Sequence, residues 1–168
     1  FRKGKKAWNA WRKKYPDIQP DLTVCSLKNM NFSGYDLRKT DFDGSHLEKA
    51  KFVKSDLWEA SFARSLLDSA DFRGAKLGYV NFYRADLYNA KFRNVYAPVV
   101  NFLEARLSMA DLRSGDFREG DFRETLMFRA DLQGSIFISA DFDGADMREA
   151  NFSNTVLRHA SLVDAKVE

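Results

Sequence analysis

A large apolar residue returns every five positions from Leu22 to Val167, without one insertion or deletion. The column runs Leu22, Leu27, Phe32, Leu37, Phe42 and onward. Of its thirty members, thirteen are Phe, thirteen Leu, two Met (Met127, Met147), one Val and one Ala (Ala97). A helix repeats its buried face near every 3.6 residues and a strand every 2, so neither carries this pattern. What fits is a chain that turns once per five residues, each copy stacking on its neighbours.

The flanking positions keep the same register. Two residues before each centre, 24 of 30 residues are Ala, Gly, Ser, Thr or Cys; one residue before, 16 of 30 are Asp or Asn. The two residues after are mostly polar or Gly. In a turning chain the centre points inward and the small residue fits an inner corner where backbone is close. Asp or Asn bonds nearby backbone in the turn, and Gly tolerates a positive φ.

Stretches such as ADFRGAKL (70–77), ADLYNAKF (85–92) and ADFDGADM (140–147) carry the motif A-(D/N)-L-x-x in its plainest form. On these the chain resembles the pentapeptide repeat family, in particular stand-alone bacterial and cyanobacterial members with an N-terminal capping helix. The resemblance implies an all-β solenoid: a right-handed quadrilateral β-helix with four pentapeptides per coil, hence about seven coils for this length. The residues themselves support four sides. From Phe32 to Leu107, Phe and Leu alternate strictly except at Ala97, so a coil of four repeats stacks Phe on Phe along two opposite faces and Leu on Leu along the other two. At strand spacing such a rod is roughly 35 Å long.

Residues 1–21 read as a cap and lead-in, and 22–168 as the solenoid. In KGKKAWNAWRKKYP, Trp8, Trp11 and Tyr15 share one helix face with Lys and Arg opposite, and Pro16 ends the helix, predicted over residues 4–14. This helix is expected to cover the first coil, since an open solenoid end exposes strand edges. The sequence stops in register at DAKVE, so the last coil (Phe152, Leu157, Leu162, Val167) is expected to present an apolar end, and a homodimer through it is the expectation. The chain opens on Phe1 rather than Met, which keeps open a reading as one domain of a larger effector or toxin.

Composition narrows the chemistry. One cysteine, Cys25, allows no internal disulfide, which suits a reducing compartment and a cytoplasmic location. No apolar run has the length of a membrane helix. His46 and His159 lie far apart in register, no zinc spacing occurs, and no phosphate loop or dinucleotide fingerprint is present. Twelve of the 24 acids are the turn Asp of the repeat. No catalytic residue, cofactor or metal is expected. The net charge of +3 hides seven bases and no acid in residues 1–14, so the rest carries −4. A nucleic-acid partner needs a continuous basic surface, which this distribution does not provide.

Sorted by face, the charges separate. The face through Leu22, Phe42 and Phe62 holds nine acids (Asp21, Asp41, Asp43, Glu104, Asp121, Glu124, Asp141, Asp143, Asp164) and three bases. The opposite face, through Phe32 and Phe52, has three acids and six bases. Outward apolar residues gather on the two neutral faces: Trp58, Tyr79, Tyr96, Pro98 and Val99 on the Leu37 face, with Ile136, Ile138 and Val156 further along; Tyr88, Met109, Leu126 and Phe128 on the Leu27 face. A contiguous aromatic patch marks an interface. In NVYAPVVNF (94–102) Ala97 replaces a large centre and Pro98 follows, so a kink or bulge is expected there. The leading reading is a non-catalytic binding scaffold with an unidentified protein partner. The alternative, implied by the resemblance, is a mimic of B-form DNA that binds DNA gyrase or topoisomerase IV and confers quinolone resistance, with the acidic face as counterpart.

Overall fold

Every pentapeptide closes on the same turn, and the turn dictates the fold. The structure, a computed structural model, describes residues 4–168; Arg2 and Lys3 of the basic arm lie outside the described residues. The residue after the turn donates its N–H to the carbonyl of the centre three positions earlier, as Ala60 does to Leu57 at 2.9 Å, at every described turn but those of Leu22 and Ala97. The second residue after each centre, from Val24 to Asp164, has φ between 52° and 70°. That pairing is the signature of a type II turn. Only Gly34, Gly44, Gly74, Gly134 and Gly144 fill this column with glycine; elsewhere Asn, Lys, Glu, Arg, Ser and even the β-branched Val24 and Val99 are held there. The ladder holds them, because the same residue donates its N–H to the next coil, as Lys49 does to Asp68.

Four turns return the chain above its start. Parallel bridges join residues 20 apart without interruption, from Asp21↔Asp41 to Asp146↔Lys166, in four columns that begin at Asp21, Ser26, Asn31 and Asp36. The result is a four-sided solenoid. Inside it, Phe rings stack within a face and meet edge-on across the interior: Phe62 and Phe82 lie 5.1 Å apart at 13°, while Phe62 and Phe72 lie 5.8 Å apart at 89°. Both are favoured ring geometries. Buried small hydroxyls at the inner corners bond backbone carbonyls, as Ser55 to Phe52 and Thr125 to Phe122, which offsets the cost of burying them; Thr40, whose hydroxyl is buried without a partner, is the exception.

The expected bulge at 94–102 is absent. Bridges Lys76↔Tyr96, Tyr96↔Asp116, Asn81↔Asn101 and Asn101↔Asp121 carry the register straight through. What changes is the core. Three of the six departures from a small corner residue, Val80, Val95 and Val100, surround the slot that Ala97 leaves. On the next coil Phe117 stands over Ala97, and Leu112 takes a place that Phe92 held one coil earlier. The downstream Phe columns therefore run on adjacent faces, with Phe117–Phe137 at 5.1 Å and Phe122–Phe142 at 4.9 Å. Gly115 and Gly120 make room for this: a Cβ on either would overlap the ring of Phe117 or Phe122 respectively. Volume moved between positions while close packing was kept.

Candidate interaction surfaces

Helix α1 (Gly4–Lys14) covers the first coil by imitating a missing one. Three of its side chains take hydrogen bonds that backbone makes in later coils. Trp8 Nε1 donates to the Asp36 carbonyl at 2.7 Å, Asn9 Oδ1 accepts from the Asp36 N–H at 2.9 Å, and Arg12 donates to the Arg38 carbonyl at 2.8 Å. One coil on, the equivalent groups of Asp56 and Trp58 bond Leu37, Tyr35 and Lys39 backbone. Arg12 also donates to the Ile18 carbonyl and lies near the Asp36 carboxylate. It is fully buried. Burial pushes its guanidinium below its ordinary pKa, and Asp36 acts the other way. The division into an aromatic docked face and a cationic outer face thus needs correcting at Arg12. Of the aromatic set, Trp8 packs on the core, Trp11 is half-buried and Tyr15 is exposed.

The acidic face is less acidic than its composition. Asp121 is held by Arg123 in a two-pronged pair, with Arg123 Nε also 3.8 Å from Asp141. Glu104 pairs with Arg84 at 2.6 Å. Asp43 and Asp143 accept from Ser61 and Ser161 and from backbone N–H groups of Ala63 and Val163. Between the clusters at Asp21, Asp41, Asp43 and at Asp121, Glu124, Asp141, Asp143 stand two coils without an acid, where Arg64 and Arg84 flank the Tyr83 ring at 5.8 and 5.0 Å. At the first cluster, burial and the neighbouring Asp43 and Asp21 raise Asp41 above the usual carboxylate range. The same Asp-x-Arg pairing recurs at Asp36–Arg38, Asp71–Arg73, Asp111–Arg113, Asp116–Arg118 and Asp146–Arg148.

The family scan accounts for this architecture: eight copies of the model described as pentapeptide repeats match residues 21–58, 59–94, 105–144 and 135–168. The chain belongs to the pentapeptide repeat family. No curated protein matches its sequence. Among solved structures, a trypsin-treated form of QnrB1, a plasmid-mediated fluoroquinolone resistance protein, is 22% identical over 90% of this chain and 84% of that one, with a TM-score of 0.69. Full-length QnrB1 is 22% identical over 88% and 84%, with a TM-score of 0.63. HetL, a pentapeptide repeat protein involved in heterocyst differentiation regulation from the cyanobacterium Nostoc sp., is 21% identical over 94% and 92%, with a TM-score of 0.33. In this pentapeptide repeat chain the matched segments leave out residues 95–104, the stretch around Ala97.

That stretch also forms the outer wall of the aromatic patch. Trp58 lies flat over Gly78 on the next coil, where a Cβ would overlap its ring. Tyr79 meets Trp58 edge-on at 5.4 Å, and Tyr96 lies 6.3 Å away at 27°. Tyr79 and Tyr96 are 54% and 49% exposed, Val99 is exposed and Pro98 half-buried. Trp58 and Tyr96 line a cleft of about 390 Å³ with Arg38, Asp56 and Lys76. On the Leu27 face Tyr88, Met109 and Leu126 are exposed, Phe128 is half-buried beneath Arg129 at 4.9 Å, and Leu66, which the sequence reading passed over, joins them. The Arg106–Asp86 pair crosses this second group. Ile136 and Ile138 are half-buried and Val156 exposed. In the last coil Phe152 and Leu157 are half-buried and Leu162 and Val167 exposed. Among the described residues no group of three or more His, Cys, Asp or Glu could hold a metal ion, and no helix is long and apolar enough to cross a membrane.

Proposed function

We propose that this chain is a non-catalytic, protein-binding solenoid, a right-handed β-helix of about seven coils whose contact surface is the Leu37 face at Trp58, Tyr79 and Tyr96. One observation carries the reading. A Trp is laid flat on a glycine that has no other reason to be glycine, and two half-exposed Tyr rings border it over a cleft. Trp and Tyr are the residues on which interface energy concentrates, and a fixed ring loses little entropy on contact. Substituting Trp58→Ser and Tyr79→Ser together leaves the core intact and is expected to remove the protein partners captured by the wild-type chain. An unchanged set of partners contradicts the assignment.

The gyrase reading makes a different demand. A surface standing in for B-form DNA requires negative charge along its length, and here Arg64 and Arg84 divide the acids while Arg123 neutralises part of the second cluster. The likeness to QnrB1 concerns the fold. Purified protein at tens of micromolar is therefore expected to leave gyrase supercoiling unchanged, and inhibition would move the function to the acidic face.

A further inference from the structure

The aromatic cleft continues around one corner of the solenoid into a second cavity of about 560 Å³, lined by Asn9, Gly34, Tyr35, Lys54, Ser55 and Gly74 among others. The two cavities share Arg38, Asp56 and Lys76. Together they make one trough running along the rod from the α1 side to Tyr96. Glycines lie along its floor beneath longer side chains: Gly34 under Lys5, Gly74 under Lys54 and Gly78 under Trp58. We propose that this trough receives an extended, acidic, proline-containing segment of a partner protein. The proposal deepens the protein-binding reading above and rests on it.

Length, charge and wall chemistry each point to that occupant. The trough crosses three coil-to-coil steps, roughly 15 Å at strand spacing, which is the length of about five residues in the polyproline II form. Among the described residues neither Lys54 nor Lys76 forms an ion pair, whereas Arg38 is tied to Asp36. Two ammonium groups stand against the one carboxylate of Asp56, which accepts the Trp58 N–H, and leave a surplus of positive charge for an acidic ligand. A single-stranded nucleic acid fits poorly, because Asp36 and Asp56 both line the trough and would face a charge at every nucleotide. A peptide can place its carboxylates between them. At the far end Trp58 and Tyr96 offer flat walls, and a proline ring docks on such walls without losing freedom it never had.

The test uses the whole chain and defined probes: a fluorescein-labelled hexapeptide alternating proline and glutamate, its alanine-for-proline and lysine-for-glutamate counterparts, and oligothymidylate. Anisotropy gives affinity, and the indole N–H resonance of Trp58 in nitrogen-15-labelled protein reports location. The proline–glutamate peptide is expected to shift that resonance. Binding is expected to weaken at least about tenfold with Trp58→Ala, with Lys54→Glu plus Lys76→Glu, or with alanine in place of proline. The lysines are exposed, so their exchange tests the trough even if Trp58→Ala disturbs the turn over Gly78. Equal binding of the lysine peptide overturns the charge assignment, and tighter binding of oligothymidylate replaces the peptide with nucleic acid. If no peptide moves the Trp58 resonance while partner capture still depends on Trp58 and Tyr79, the ligand class is wrong and the protein-binding reading stands. If capture is independent of them as well, both fall.

Discussion

The coils before Ala97 and those after it share one backbone and pack two different interiors. Upstream, Phe32 to Phe92 and Phe42 to Phe82 stack on opposite faces with Leu between. Downstream, Phe117–Phe137 and Phe122–Phe142 stack on adjacent faces. At the changeover Phe102 registers the difference: its ring is parallel to Phe82 within 4° but tilted 30° from Phe122. Ala97 gives up volume, Val80, Val95 and Val100 take it, and Gly115 and Gly120 return it to Phe117 and Phe122. The register of a solenoid is thus set by backbone turns and ladders, while the identity of each core residue is negotiated only with its neighbours on adjoining coils. The changeover faces outward as Tyr96, Pro98 and Val99, so the place where the interior is least repetitive is also a wall of the proposed trough.

Substitutions in the two halves test this contrast. The largest effect is expected within the regular half, where Phe82→Ala removes a ring stacked on both sides and should cost about 3–5 kcal/mol in denaturant unfolding. At the changeover, Ala97→Leu restores the repeat by sequence and yet should destabilise by about 1–3 kcal/mol, because the valines and Phe117 already fill the slot. Gly115→Ala should cost a similar amount. A neutral or stabilising Ala97→Leu would show that the two halves do not differ as described. Arg12→Ala tests the cap instead: it leaves carbonyls of Ile18 and Arg38 without their donor and should cost about 1–3 kcal/mol, with hydrogen exchange rising first near residues 34–38.

The smallest effect belongs to the surface pairs. Arg113 holds Asp111, and Arg148 holds Asp146, below the usual carboxylate range. A depressed folded-state pKa gives stability that is present above the unfolded value of about 3.9 and lost as pH falls through the lower folded value. Stability from these pairs should therefore be flat between about pH 5 and 8 and decline only in acid. Arg113→Ala, at an exposed pair, should lower stability by less than any of the changes above.

Most of the fold was legible because the five-residue period is itself the core, and no tertiary information is needed to see that Phe and Leu alternate. The cap was half legible. Sorting α1 by hydropathy put Arg12 outside, although it lies one turn from Trp8, and its long stem and planar head can reach backbone carbonyls that no apolar residue could satisfy. The acidic face was overcounted for a local reason. Asp-x-Arg occurs in plain sight, but its consequence depends on the turn that brings position i+2 back over the carboxylate. The trough was the least legible part. Gly78 stands twenty residues after Trp58 and so shares its column, yet the cavity beyond it depends on side-chain directions at Lys54, Lys76 and Tyr96 that periodicity does not fix.

The central functional claim is that this solenoid meets its partner through the Trp58–Tyr79–Tyr96 face. Site-specific photo-crosslinking tests it most directly, with the crosslinking side chain placed in turn at Tyr79, at Tyr88 on the Leu27 face and at Glu124 on the acidic face. A discrete partner adduct is expected from Tyr79 and should disappear with Trp58→Ser. Adducts from Glu124 or Tyr88, with none from Tyr79, would contradict it.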